Sequence, residues 1–181
     1  MSVIRAFIAI DLSEEIQLRL EEVQKNYRAQ LDSIPIRWVA AENIHLTLKF
    51  LGETTPKQAE QIQKALQKIK FKQFTINLDG TGMFPNEKKP RVLWVGIKPE
   101  NELCELQKKI DETLKGLVKP EENYIPHITL ARIKKPKKLP ELDVKQMSTT
   151  VKEFKLYESK IQLKGTEHKT LKNYPLLPQP L

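Results

Sequence analysis

Cysteine is nearly absent from this chain: Cys104 is the single thiol among 181 residues. One cysteine cannot form an internal disulfide, which favours a reducing compartment, so we expect a cytoplasmic protein. Cys104 lies on an apolar helical stripe and is more typical of a small core residue than of a nucleophile. Long apolar runs are also missing, because the opening run from Val3 to Ile10 is broken by Arg5 and is too short to span a bilayer. We therefore expect no membrane association.

Acidic residues are outnumbered by basic ones. The chain has 31 Lys and Arg against 23 Asp and Glu, which gives a net charge of +8 and a pI near 9.4. This surplus favours a polyanionic partner such as nucleic acid, although a solvated lysine-rich surface would have the same composition. Residues 134–138 (Lys-Lys-Pro-Lys-Lys), called the basic loop below, concentrate part of this charge. A Walker-type phosphate loop is lacking, since no Gly-Lys-Ser/Thr follows the glycine-rich segment 80–86.

Apolar periodicity predicts an α+β fold. Residues that alternate with period two indicate strands, and apolar residues spaced by three and four indicate amphipathic helices. The predicted strands are 3–10, 36–39, 44–51, 74–78, 91–97, 154–163 and 170–177. The three predicted helices carry the apolar stripes Ile16-Leu20-Val23-Tyr27-Leu31, Ile62-Leu66-Ile69 and Leu103-Leu106-Ile110-Leu114.

Capping and turn residues predict where these elements begin and end. Asp11 or Ser13 is expected to cap the first helix, and Thr55 the second, with Pro56 at its first position. Gly52 is expected to end a strand, segment 80–86 to form a loop, and Gly165 to lie in a hairpin turn. Each half of the chain holds a long helix and several strands. We therefore predict a single domain, 1–181, of two similar pseudo-symmetric lobes of antiparallel sheet, with helices outside, facing a central cleft.

One short pattern occurs twice. His45-Leu46-Thr47-Leu48 returns as His127-Ile128-Thr129-Leu130, a separation of 82 residues. Residues two apart share a face of a strand, so each copy would bury its two apolar residues and present one imidazole and one hydroxyl on the other face. Two such strands across a cleft would bring together two groups that titrate near neutrality. That arrangement is typical of general acid–base catalysis.

The residue types of the repeated pattern indicate phosphodiester chemistry. Imidazoles can deprotonate an attacking water and protonate a leaving oxygen, and threonine hydroxyls can hydrogen-bond non-bridging phosphate oxygens. A zinc site is the main alternative, but neither copy has a carboxylate or cysteine beside its histidine on the same face. A single copy of the pattern would be more typical of a hydrogen-bonded structural histidine. The remaining histidine, His168, is expected to be a surface or structural residue.

These residues resemble the two-histidine (2H) phosphoesterases, and more narrowly the RNA 2′,3′-cyclic phosphodiesterases, also called 2′-5′ RNA ligase-like proteins. The resemblance covers nearly the whole chain. It is carried by Arg5 to Ile10, Arg37-Trp38-Val39, His45 to Glu53, Phe84-Pro85, Arg91 to Gly96 and Pro126 to Arg132. One departure is Ile125, where many relatives carry an arginine.

The resemblance implies hydrolysis of a 2′,3′-cyclic phosphate at an RNA end, for example a tRNA-derived one, to a 2′-phosphomonoester. It also implies that His45 is the proton donor, that His127 is the proton acceptor, and that Thr47, Thr129 and Arg132 bind phosphate. Strict alternation would put Arg132 on the face opposite His127, unless the strand bulges or ends there. We expect a monomer that needs neither cofactor nor metal.

Two other functions remain open from the sequence. One is a non-catalytic RNA- or nucleotide-binding module that keeps the cleft but turns nothing over. The other is the reverse reaction, in which the same groups join RNA ends through a 2′-5′ linkage. Both histidines and both threonines are intact, which favours the enzyme over the binding module.

Overall fold

The computed structural model describes residues 3–31, 35–135, 139–140, 144–162 and 165–179. Three α-helices occur in these ranges: α1 (Glu14–Gln30), α2 (Pro56–Leu66) and α3 (Asn101–Thr113), with a short 3-10 helix at Ala41–Asn43. The strands in the same ranges are β1 (Ile4–Asp11), β2 (Ile36–Trp38), β3 (His45–Thr54), β4 (Phe74–Phe84), β5 (Val92–Lys98), β6 (His127–Ile133), β7 (Ser148–Val151), β8 (Glu153–Gln162) and β9 (Gly165–Pro175).

The strands form one curled antiparallel sheet in the order β7-β4-β5-β6-β3-β1-β8-β9, with β2 paired to β6. The predicted α+β fold with two lobes is confirmed, and the lobes join in a single sheet. Four strands lie on each side of the junction between β3 and β6. In each lobe a helix connects the motif strand to its neighbour, since α1 lies between β1 and β3 and α3 lies between β5 and β6.

The helices pack their predicted stripes into one core with the sheet. Leu20, Leu66 and Leu106 are fully buried there, together with Leu46 and Ile128 of the two motif strands. The Ser13 side chain caps α1, and Thr55 forms a reciprocal capping box with Gln58 at the start of α2, as the sequence predicts for these residues. None of the helices in the described ranges combines the length and apolarity of a bilayer-spanning segment.

The prediction of a loop at 80–86 is wrong. The strand β4 continues through these glycines to Phe84. Gly80 has a positive φ of 57° at a register shift opposite β5, so the extra residue is absorbed as a bulge. A Cβ on Gly82 would lie 2.2 Å from the Trp94 ring, so glycine here makes room for the indole on the neighbouring strand.

Two other boundaries differ from the prediction. Gly52 does not end β3, which continues to Thr54, because a register shift against β1 accommodates its positive φ of 70°. The strand β9 begins at Gly165 instead of Thr170 and pairs with β8 along its whole length. The predicted hairpin partners are correct, but the prediction of Gly165 in the turn is wrong, because Gly165 belongs to β9 and lies opposite Gln162. The two residues between the strands lie outside the described ranges, as do Lys137 and Lys138 of the basic loop.

Candidate active site

The two His-x-Thr patterns lie on the strands that meet at the centre of the sheet. Leu46 of β3 is opposite Ile128 of β6. In an antiparallel pair this register directs His45 towards Thr129 and Thr47 towards His127. The intervening Leu46 and Ile128 have no exposed surface. The sequence-predicted imidazoles and hydroxyls therefore share one face, while the apolar residues enter the core.

Each motif histidine is held by the same hydrogen bond. The Nδ1 atom of His45 lies 2.7 Å from the carbonyl oxygen of Asn43, and Nδ1 of His127 lies 2.7 Å from that of Ile125. A carbonyl oxygen can only accept, so Nδ1 carries the proton in both rings. The Nε2 atom of each neutral ring is then left to accept a proton, and it can donate one once the ring is charged. At position 125 the contact comes from the backbone carbonyl, so holding His127 in this way does not depend on the Ile125 side chain.

Each motif strand also bulges at the leucine that follows its threonine. In β3, Ile8 is opposite Lys49 and Ala9 is opposite Thr47, so Leu48 is the extra residue. In β6, Leu93 is opposite Ala131 and Trp94 is opposite Thr129, so Leu130 is the extra residue. The two bulges are separated by 82 residues, like the histidines. A bulge shifts the alternation by one, so residues 50 and 132 turn to the motif face.

The bulges settle the orientation of Arg132. Both Arg132 and Phe50 line the same cavity as His45 and the two threonines, so the bulged alternative is the correct one for Arg132. Hydrogen bonds support both irregular positions. The buried Gln24 side chain donates to the Leu130 carbonyl oxygen at 3.0 Å, and the Tyr124 hydroxyl donates to the Thr47 carbonyl oxygen at 3.0 Å.

The cavity on the motif face has a volume of about 770 Å³. This volume is large enough for a nucleotide, since the volumes of ligand pockets commonly fall between about 300 and 1,000 Å³. Its charged lining comprises Arg5, Arg37, Arg132, Glu42 and Glu167. His127 is not part of this lining. Its ring packs edge-on against Phe84, with centroids 4.9 Å apart, and lies 6.2 Å from the Trp94 ring.

Burial favours the neutral form of both motif histidines. It lowers the pKa of His45 to about 4, an effect that the Asn43 carbonyl and Asp11 oppose and that His168 and His127 strengthen. It also lowers the pKa of His127, with the Arg132 charge acting in the same direction and the Ile125 carbonyl opposing it. In the protein alone, His45 is therefore neutral at pH 7.

His168, which the sequence analysis expects to be a surface or structural residue, lies beside His45 at the site. Its ring centroid lies 5.1 Å from that of His45 and 4.8 Å from that of Phe7, and the His168 ring is edge-on to both. His168 also lines the cavity. The register of β9 on β8 brings it there, and the sequence prediction missed this because it began the second strand of the hairpin at Thr170. Within the described ranges, no three His, Cys, Asp or Glu side chains converge to form a metal site.

Comparison with known proteins identifies the family. The family model described as LigT like Phosphoesterase matches residues 10–94 and again 95–170. The chain belongs to the LigT-like phosphoesterases. Each of the two matched ranges of this LigT-like chain contains one His-x-Thr pattern.

Relatives of this LigT-like chain are similar over most of their length. The RNA 2′,3′-cyclic phosphodiesterase of Archaeoglobus fulgidus is 33% identical over 178 residues, which cover 93% of this chain and 98% of that protein. The Aquifex aeolicus protein of the same name is 38% identical over 140 residues, which cover 74% of this chain and 73% of that one. The crystal structure of Escherichia coli LigT complexed with 3′-AMP has a TM-score of 0.83 at 30% identity, covering 97% of this chain and 99% of that one.

Proposed function

We propose that this protein hydrolyses the 2′,3′-cyclic phosphodiester at the end of an RNA to a 2′-phosphomonoester. The observation that carries the proposal is the pair of imidazoles on adjoining strands, each with Nδ1 held by a carbonyl and each neighboured by a threonine. The names of the Archaeoglobus and Aquifex relatives support the same reaction. Membership of the LigT-like family is consistent with phosphoester chemistry.

The proposed mechanism assigns one proton transfer to each histidine. His127 accepts a proton at Nε2 from the water that attacks phosphorus. The bond between phosphorus and the ribose 3′ oxygen breaks, and His45, which takes up a proton when the phosphate binds, donates its Nε2 proton to that oxygen. The 2′ ester bond is kept, so the product is a 2′-phosphate. Each such transfer contributes about a hundred- to ten-thousand-fold in rate.

The threonines and Arg132 hold the phosphate in this mechanism. Thr47 and Thr129 lie on the motif face beside the histidines and can each donate one hydroxyl hydrogen bond to a non-bridging oxygen. Arg132 turns to the same cavity through the bulge at Leu130 and can donate to two oxygens at once. These donors stabilise the negative charge that develops on the phosphoryl oxygens.

Two features of the cavity favour a ribonucleotide chain over a small phosphate ester. Arg5 and Arg37 add positive charge away from the motif strands and suit further phosphates. The Phe50 ring is 64% exposed beside the cavity, although a large apolar side chain is normally buried. An exposed aromatic ring next to a phosphate site can stack on a nucleobase.

We also propose that the chain is a single domain built from two pseudo-symmetric lobes. The histidines, their carbonyl contacts and the two bulges all recur at an interval of 82 residues. The lobes are not consecutive halves of the chain, because β8 and β9 pair beside β1 while β7 pairs with β4. The C-terminal strands therefore complete the N-terminal lobe.

The decisive experiment uses a short RNA with a 2′,3′-cyclic phosphate end. We expect conversion to a product with a 2′-phosphate, identified by ³¹P NMR against synthetic 2′- and 3′-phosphate standards. Binding without conversion would support the non-catalytic module instead. Adding an RNA with a free 5′-hydroxyl end tests the reverse reaction, which would give a 2′-5′ linkage.

A further inference from the structure

His168 occupies a place that the proposed mechanism does not use. Its ring lies edge-on to both His45 and Phe7, at centroid separations of 5.1 Å and 4.8 Å. The first residues of β9 reach the segment before His45, since the Asn43 side chain donates to the Thr166 carbonyl oxygen at 2.8 Å. His168 is thus fixed beside the first motif histidine by the fold.

The ring nitrogens of His168 have no protein partner in the described part of the chain. His45 and His127 each have Nδ1 tied to a carbonyl, whereas none of the described residues makes a hydrogen bond to the His168 ring. Burial lowers its pKa, so the site disfavours a charge on this ring. A purely structural position between two aromatic rings would be filled at lower cost by phenylalanine.

His168 also belongs to a row of polar residues across the sheet. It lies opposite Ser159 of β8, and Ser159 lies opposite Arg5 of β1. All three line the cavity. Neighbouring strands are about 4.8 Å apart, so an imidazole N–H, a hydroxyl and a guanidinium are presented side by side to the same space. These donors, without a carboxylate between them, suit the oxygens of a phosphate group.

We propose that His168 is a third substrate-contacting imidazole, which donates a ring N–H to a phosphate oxygen of the ribonucleotide held beside His45. The contact requires only the neutral ring, because one nitrogen of a neutral imidazole always carries a hydrogen. The same contact is made before and during the reaction, so His168 contributes to binding and not to proton transfer. This inference rests on the proposed function for the identity of the ligand.

The test compares two substitutions with one control. His168→Phe keeps a ring against His45 and Phe7 but removes the N–H, and His168→Gln keeps an N–H donor without the ring. Lys169→Gln changes the exposed neighbour on the same strand and serves as the matched control. The measurements are kcat and KM with 2′,3′-cyclic AMP, the Kd of the 2′-AMP product by calorimetry, and the unfolding midpoint.

We expect His168→Phe to raise KM and the product Kd by about tenfold or more, the usual effect of losing a hydrogen bond to a charged group. The unfolding midpoint and kcat should stay close to those of the parent protein. His168→Gln should recover part of the affinity, and Lys169→Gln should change nothing. Unchanged KM and Kd in His168→Phe would overturn the inference. So would equal losses in both variants together with a lowered unfolding midpoint, since that result assigns His168 to packing.

The product Kd separates this inference from the proposed function. If the parent protein binds 2′-AMP but does not convert any cyclic phosphate, the hydrolytic proposal fails. The ratio of the two Kd values then still decides the role of His168. A parent protein that neither converts the cyclic phosphate nor binds 2′-AMP overturns both.

Discussion

Phosphate binding is expected to restore a proton to His45. Burial lowers the pKa of this imidazole to about 4 in the protein alone. At pH 7 such a group is protonated in about one molecule in a thousand, which corresponds to a cost of about 4 kcal/mol for adding the proton. A general acid must carry its proton when the leaving oxygen departs. The substrate itself therefore has to offset that cost.

The attraction between the phosphodiester charge and a protonated His45 is large enough to offset this cost. Two unit charges about 4 Å apart attract by about 4 kcal/mol at an effective dielectric constant of about 20. This corresponds to about three pKa units, so the pKa of His45 should rise to about 7 in the complex. The charged or titratable groups that act on His45 are Asp11 on β1, which favours the proton, and His168 on β9 and His127 on β6, which disfavour it.

The His127→Ala variant makes this shift measurable, because it should bind the cyclic nucleotide without consuming it. The His45 ring carbon signal is followed by NMR from pH 3.5 to 8, with and without saturating 2′,3′-cyclic AMP. The cyclic phosphate of this ligand carries one negative charge throughout that range. We expect the pKa of His45 to rise by two units or more on binding, as the Coulomb energy requires. A rise of less than one unit in the saturated complex would refute the reasoning, because the substrate would then not stabilise the proton that His45 has to donate.

Four further predictions concern catalysis, metals, RNA and stability. His45→Ala and His127→Ala should each lower kcat by a hundredfold or more in a turnover assay, and the double variant should be little worse than the poorer single one because the two act as a unit. Turnover should survive EDTA, since no metal ligand set converges in the described ranges; loss that added Zn²⁺ or Mg²⁺ reverses would contradict this. Replacing the four lysines of the basic loop with alanine should weaken RNA binding and flatten its salt dependence by about 0.7 in log–log slope per lost contact. Asp111→Asn should lower the free energy of unfolding by about 3 to 5 kcal/mol in denaturant titrations, because it leaves the buried Lys49 ammonium without its counterion. The control is Glu60→Gln, which removes one partner of an exposed ion pair.

Periodicity and capping predicted most of the elements because those signals are local. The stripes of α1 and α3 require only that apolar residues recur with the helical period, and the caps at Ser13 and Thr55 act within one turn. The alternation at His45 and His127 likewise needs only a strand. The boundaries failed at Gly52 and at segment 80–86, where glycine is accommodated by bulges whose positions depend on the partner strand.

The residues of the site that the sequence missed all depend on pairing between distant segments. Phe50 and Lys49 exchange faces because Leu48 is bulged against β1, so the lysine points into the core and the phenylalanine lines the cavity. Buried Lys49 is then paired with Asp111 of α3 and donates to the Lys119 carbonyl oxygen at 2.6 Å. Simple alternation predicts the opposite for both residues. His168 reaches the site only through the register of β9 on β8.

The proposed division of roles between the two histidines rests on the charges around them, since their backbone surroundings are the same. Both rings have the same carbonyl contact and the same position before a bulge, so the backbone does not distinguish acid from base. The charges around them differ. Asp11 is opposite His45 across β1 and β3, and its carboxylate favours a proton on that ring, although burial and His168 outweigh it in the protein alone. Arg132 disfavours a proton on His127. A ring that is helped to gain a proton suits the donor, and a ring that is kept neutral suits the acceptor. Removing both charges, by Asp11→Asn on one side and Arg132→Gln on the other, should therefore lower the basic limb of the pH–rate profile, raise its acidic limb and narrow the active range.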